Sequence, residues 1–164
     1  MLFIAWPDGR FDIAGRTVRA ALGRGGVKPA ADKREGDGAT PAGVWPIRYV
    51  LHRGEAPATA LETRPIGEHD GWCDDPADAA YNRPVPLPYP ASCERLWRDD
   101  HLYDRVVVLG HNDDPPVTDA GSAIFLHLAR QDYAPTEGCV AISAADMEAL
   151  LELARPGDAV EIRL

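Results

Sequence analysis

Apolar and polar positions alternate with period two over much of the first fifty residues, the spacing of half-buried strands. "LFIAW" and "RFDIAG" flank Pro7-Asp8-Gly9, a turn signal, and "RTVRAAL" follows Gly15 with the same alternation. Residues 23–43 break the pattern: six glycines, two prolines and mixed charge predict a long loop. "VWPIRYVL" returns to strand character, with Pro46 marking an edge or a bulge. Residues 54–104 are irregular; the repeated prolines of "DGWCDDPADAAYNRPVPLPYP" exclude regular helix or central strand, and "SCERLWRD" at 92–99 reads as a short helix. The last third is clearer. "RVVVLG" is a continuous apolar run, hence a central strand. In "AIFLHL", Ile124, Leu126 and Leu128 face one way and Phe125 and His127 the other. "GCVAI" makes a third, short strand. Ser143 caps a helix with Asp146 three residues on; Met147, Leu150, Leu151 and Ala154 form its apolar stripe, and Arg155-Pro156-Gly157 stops it. "AVEIRL" closes the chain as a strand with Val160, Ile162 and Leu164 on one face. The pattern predicts a mainly β domain over 1–164, with one α-helix near the C-terminus and an irregular insertion at 54–104.

A chain of 164 residues, 45% of them hydrophobic, is long enough to bury a core as one domain. No stretch approaches the roughly 18 apolar residues of a membrane span. The opening "MLFIAWPDGR" lacks a basic n-region and meets a turn where a signal peptide needs its apolar run. It therefore reads as a strand, and a cytoplasmic protein is expected; an upstream start would move it to the periplasm or cell envelope. The net charge of −9 argues against a nucleic-acid or anionic-membrane partner. Fifteen of the seventeen basic residues are Arg, whose planar fork suits a ligand carrying carboxylates. Cys73, Cys93 and Cys139 are too few and too scattered for a disulfide framework or a structural zinc site, and in a reducing compartment all three stay thiols.

Candidate chemistry centres on Cys139, which follows Gly138 at a strand start, twelve positions after His127. A thiol with pKa near ~8.5 becomes a better nucleophile when a histidine lowers that value and later returns the proton. Gly138 permits a tight turn, and the Gly138 and Cys139 N–H groups would face a developing oxyanion, each worth about 3–4 kcal/mol. Core filler is the rival reading of Cys139; the Gly-Cys turn, the upstream histidine and the Pro-Thr loop weigh against it. Arg83 and Arg130 are candidate carboxylate contacts, with Lys33 and Arg34 behind them. His111, after the "RVVVLG" strand, and Tyr133, on the loop between base and nucleophile, are further substrate contacts. Trp72, Tyr81 and Tyr89 either line a peptide site or pack the insertion onto the sheet. His69, Cys73, Asp74, Asp75 and Asp78 crowd the insertion but match no tight ligand spacing, so neither metal nor other cofactor is expected.

"FLH…TEGCVAIS" with "GDGATPAGVWPI" upstream resembles the YkuD-type L,D-transpeptidase catalytic domain. The earlier piece is Thr40-Pro41-Ala42-Gly43-Val44-Trp45-Pro46-Ile47, the later one Thr136-Glu137-Gly138-Cys139-Val140. The resemblance implies a β-sandwich, Cys139 as nucleophile and His127 as base. It implies attack on the L,D peptide bond of a peptidoglycan stem peptide or muropeptide, with D-Ala leaving and the acyl group passing to an amine or to water. Departures from the family's pattern are Ala141 in place of Arg or Asn, Leu128 in place of Gly, Glu137 in place of His, and a short His-to-Cys interval. With no export signal read and no wall-binding module in the sequence, the expectation is an L,D-carboxypeptidase of muropeptide recycling. The alternatives are a transpeptidase that cross-links or exchanges D-amino acids in the wall, a zinc peptidase using His69, His101 or His111 with Asp ligands, and a binding module in which Cys139 is inert.

Overall fold

The computed structural model describes all residues, Met1–Leu164. Its strands are β1 (Leu2–Ala5), β2 (Arg10–Ile13), β3 (Arg16–Ala21), β4 (Val27–Pro29), β5 (Thr40–His52), β6 (Thr63–Pro65), β7 (Asp70–Cys73), β8 (Pro84–Pro86), β9 (Cys93–Arg95), β10 (Arg105–Leu109), β11 (Phe125–Leu128), β12 (Val140–Ile142) and β13 (Ala159–Ile162). One α-helix, α1 (Ala144–Leu153), precedes β13. No helix is long and apolar enough to cross a membrane.

The main sheet runs β10-β11-β12-β3-β2-β1-β13-β5-β4 and folds back on itself through a further pairing of β10 with β5. Two strands join its halves. β3 pairs with β2 over residues 16–19 and with β12 at Ala20 and Ala21; β5 pairs with β13 over residues 43–46 and with β10 over residues 47–52. The register of β5 against β10 shifts between Val108 and Leu109, which leaves Arg48, two residues beyond Pro46, without a partner in the ladder. Pro46 itself is opposite Ala159, at the point where β5 passes from pairing with β13 to pairing with β10.

The inner face holds the larger core, with Phe3, Phe11, Val107, Leu126, Val140 and Ile162 among its members. Met147, Leu150 and Leu151 of α1 enter the same core. The Ser143 hydroxyl caps α1 by accepting from the Asp146 N–H at 3.1 Å. Val106, Val108 and Phe125 face outward from the same sheet and are covered by Ile66, Trp72, Leu96, Leu102 and Tyr103 of the insertion. Each large apolar side chain so covered contributes roughly 1.5–3 kcal/mol. β10 is therefore buried on both faces, the reason its run is continuously apolar.

Three local expectations are corrected. Residues 92–99 do not form a helix: Cys93–Arg95 is β9, a strand of a small antiparallel sheet β8-β7-β9 inside the insertion. Alternation decides it, because Glu94 and Leu96 must face inward and Arg95 outward. The prolines of this region sit on the edge strand β8 and in the connections, while proline-free β7 takes the centre. The 23–43 stretch is not wholly loop: it contains β4, a 3-10 turn at Ala30–Asp32 and the first residues of β5. Leu164 lies beyond the end of β13 and is exposed.

Candidate active site

β11 and β12 are parallel neighbours, with Leu126 opposite Val140 and His127 opposite Ala141. Strand alternation then sends Phe125, His127, Cys139 and Ala141 to the same outer face, with Cys139 beside Phe125. The Phe125 N–H donates to Cys139 Sγ at 3.4 Å, and the Cys139 thiol donates to the Ala123 carbonyl at 3.2 Å. Cys139 is 9% exposed. His127 lies two positions along the ladder; its Nδ1 is 2.9 Å from the Leu128 carbonyl, and the Tyr103 ring stands edge-on to it at 5.3 Å. A carbonyl only accepts, so Nδ1 carries the proton and Nε2 is left with a lone pair. Thiol and imidazole are not hydrogen-bonded to each other. Both open into one cavity of about 390 Å³.

The turn before Cys139 is fixed by packing. Gly138 has φ +133°, and a Cβ there would come within 2.8 Å of the Ala39 carbonyl oxygen. The Gly138 N–H donates to the Thr136 hydroxyl oxygen at 3.1 Å, and that hydroxyl donates to the Cys139 carbonyl at 2.6 Å. Of the two expected oxyanion donors, Gly138 is thus already engaged, and the Cys139 N–H makes no bond within the protein. Ala39 is held by the Thr40-to-Trp45 segment. The Gly23 N–H donates to the Thr40 hydroxyl at 2.8 Å, and Trp45 Nε1–H donates to the Pro41 carbonyl at 2.9 Å. Gly43 makes room for that ring, since a Cβ would meet it at 2.5 Å. The two separated sequence motifs are one structural unit.

The insertion roofs the cavity. Glu94 on β9, Asp74 after β7, and Arg98, Leu102 and Tyr103 line it with Cys139 and His127. The Tyr103 hydroxyl donates to Glu94, whose carboxyl is pushed up by burial. Lys33, 3% exposed, lines the same cavity and donates to Asp37 at 2.5 Å. Asp74 Oδ1 and the Ser122 hydroxyl, both buried on this lining, have no hydrogen-bond partner in the protein.

The electrostatics correct one expectation. Burial, with the nearby Glu94 adding to it, pushes the Cys139 thiol up to about 12 rather than down, and burial holds His127 down to about 4. The resting pair is a neutral thiol and a neutral imidazole. The Phe125 N–H and the Lys33 charge pull the other way but do not outweigh the loss of water, so a histidine two ladder positions away does not by itself produce a thiolate.

The remaining predicted residues separate. Arg130 lines the cavity, as does Glu137, which is paired with Arg24 at 2.9 Å. Arg83 does not: it lines a different cavity with Arg48, Tyr49 and Asp113, between the insertion and β5. Tyr133 packs against Ala21, Ala129 and Ala141 beneath the Arg19 guanidinium at 4.4 Å and does not line the cavity. His111 sits one layer behind, buried, edge-on to Trp45 at 4.8 Å, with Nδ1 unpartnered; burial and then Lys33 lower it to about 4. Arg34 is tied to the Ala31 and Lys33 carbonyls. The insertion's aromatics serve packing: Trp72 stands edge-on to Phe125 at 5.0 Å, while Tyr81 and Tyr89 donate to Glu35 and Asp78. His101 is bonded to the Ala129 carbonyl, and no group of three or more His, Cys, Asp or Glu side chains converges as metal ligands do. The sequence reasoning missed Glu94, Arg98 and Tyr103. The available signal was the alternation of Glu94 with Leu96, obscured by reading 92–99 as helix.

The sequence model of the YkuD L,D-transpeptidase catalytic domain matches residues 2–162. Among solved structures, L,D-transpeptidase 1 of Mycobacterium tuberculosis aligns at 14% identity and TM-score 0.43, covering 98% of this chain and 57% of the other. An L,D-transpeptidase from Mycobacterium smegmatis aligns at 18% identity and TM-score 0.44, covering 99% and 58%. The chain thus spans less than two thirds of either of those proteins. No curated protein matches in sequence.

Proposed function

The chain belongs to the L,D-transpeptidase catalytic-domain family, and on that premise we propose that it is a cysteine acyl-transfer enzyme working chiefly as an L,D-carboxypeptidase on tetrapeptide muropeptides. The observation that carries this reading is the placement of Cys139 and His127 on one face of adjacent strands, opening into a single roofed cavity. Because the resting pair is neutral, proton transfer accompanies attack. As Sγ approaches the carbonyl carbon of the L,D bond, its proton leaves the Ala123 carbonyl for His127 Nε2. The Cys139 N–H is the donor available to the oxyanion. His127 returns the proton to the departing D-Ala amine, and the acyl group stays on Cys139. Water, with Nε2 again as base, then frees the tripeptide.

Hydrolysis is favoured over transfer by the volume of the site. About 390 Å³ suits one short peptide, and an amine-bearing second stem would have to pass beneath the roof of Glu94 and Arg98. Arg130 on the rim is the contact for a substrate carboxylate. The cytoplasmic setting and the role in recycling soluble fragments belong to the same proposal. The test is mass analysis of purified disaccharide tetrapeptide after incubation, with and without a D-amino acid. Tripeptide as the dominant product in both reactions supports it. Dominant exchanged or cross-linked product would replace it with the transpeptidase reading.

A further inference from the structure

Cys73 ends β7 and Cys93 begins β9, and the ladder sets them directly opposite each other. The Asp74 N–H donates to the Ser92 carbonyl at 3.1 Å, and the Leu96 N–H to the Asp70 carbonyl at 3.0 Å. That pattern makes Cys73–Cys93 a non-hydrogen-bonded pair, the kind whose Cα atoms lie about 4.5 Å apart with side chains closest. A disulfide spans Cα separations of about 4.4–6.8 Å. Both thiols are free, and Cys93 donates to the Ala91 carbonyl at 3.4 Å. In the next pair along, Trp72 packs on Phe125 and Glu94 lines the Cys139 cavity, so the cysteines occupy the opposite face, near Asp78 and Tyr89. Two of the three scattered cysteines of the sequence are therefore neighbours.

We propose that Cys73 and Cys93 form a reversible cross-strand disulfide that staples the roof of the cavity. The oxidant is a low-molecular-weight disulfide, RSSR. Cys93, the more exposed of the two, reacts first: its thiolate attacks one sulfur of RSSR, forming a mixed disulfide and expelling RS⁻. The Cys73 thiolate then attacks Cys93 Sγ, closing the protein S–S bond and expelling the second RS⁻. The two cysteine protons end on the two released RSH molecules, so two protein thiols are oxidised as one RSSR is reduced. Burial raises both thiols above their ordinary value, so closure quickens as pH rises. Cys139 is left out because it lies under the roof, with its thiol bonded to the Ala123 carbonyl. The link joins residues directly adjacent to Asp74 and Glu94, which line the cavity, and its consequence for turnover rests on the proposed function; the link itself does not.

The full chain is incubated with oxidised glutathione, alkylated under denaturing conditions, cut with an aspartate-specific protease without reduction, and mapped by mass spectrometry. Cleavage at Asp74, Asp75 and Asp78 separates the two cysteines. The expected result is a Cys73 peptide joined to the Cys93 peptide with loss of two hydrogens, and Cys139 recovered as its alkylated form. Thermal unfolding of the oxidised wild type should move upward, with no shift in Cys93→Ser or Cys73→Ala. The link should form equally in Cys139→Ala, which separates this proposal from the catalytic one. Separate mixed disulfides on Cys73 and Cys93, free thiols throughout, or a bond that includes Cys139 would overturn it.

Discussion

The floor and the roof of the Cys139 cavity are built by different physics. The floor is β10, β11 and β12, where every residue of β11 and β12 is buried and alternate side chains enter two separate cores. Its geometry is set by backbone pairing and apolar packing on both faces, which leaves Cys139 and His127 little freedom. The roof is three short strands, the edge strand β8 carrying prolines, seated on the apolar cluster of Trp72, Leu96, Leu102 and Tyr103 and tied down by side-chain hydrogen bonds. Asn82 is its keystone: it accepts from Trp72 Nε1–H at 2.9 Å and the Ala123 N–H at 3.0 Å, and donates to the carbonyls of His111 and Asn112. In the proposed mechanism the floor supplies the reacting groups, and the roof lines the cavity above them with Glu94, Arg98 and Asp74. On that proposal, chemistry sits on the floor packed on both faces, and selectivity on a cover that polar contacts help hold in place.

Breaking the floor should cost most. Cys139→Ala should abolish D-Ala release while leaving the circular-dichroism spectrum unchanged, since Ala fits the same strand start. His127→Ala should lower kcat/KM by about 10²–10⁴-fold, the usual worth of a positioned acid–base group. Breaking the roof should appear first in stability. Asn82→Ala leaves buried partners unsatisfied and should cost about 3 kcal/mol, read as a fall of roughly 6–12 °C in Tm. Acid acts on the layers beneath and behind the roof. Below pH 6.5 the unfolded chain takes up protons on His127 and His111, while the folded protein holds both neutral down to about 4. The unfolded state then binds more protons, so stability is full above pH 6.5 and falls as pH drops toward 4, by about 3 kcal/mol per histidine, seen in denaturant titrations at stepped pH. The smallest effect separates the two arginines: Arg130→Ala should lower kcat/KM about tenfold on substrates with a free carboxylate, and Arg83→Ala should leave it unchanged.

The same contrast explains what the sequence disclosed. The alternation of Ile124, Leu126 and Leu128 against Phe125 and His127 was legible because burial on two faces writes a strong hydrophobic code. The Ser143 cap and the stripe of α1 were legible for a similar reason: capping chemistry and a 3.6-residue period are local. The roof was not. β9 is three residues long, too short for alternation to outweigh helix propensity, and Glu94 becomes distinctive only once Tyr103, nine residues on, is folded against it. Arg83 has the chemistry of a carboxylate contact, but its neighbours are set by long-range packing that no local pattern records. The pairing of Cys73 with Cys93 likewise depends on a strand register that spacing alone does not reveal.

The most direct test of the account is to trap the acyl-enzyme. Disaccharide tetrapeptide is mixed with the wild-type protein, quenched in acid within the first turnovers, and the digested protein is mapped by mass spectrometry. The account predicts a muropeptide tripeptidyl adduct on the peptide containing Cys139, absent in Cys139→Ala and slower to appear in His127→Ala. D-Ala release that continues with no adduct on Cys139, or in the Cys139→Ala protein, would contradict it.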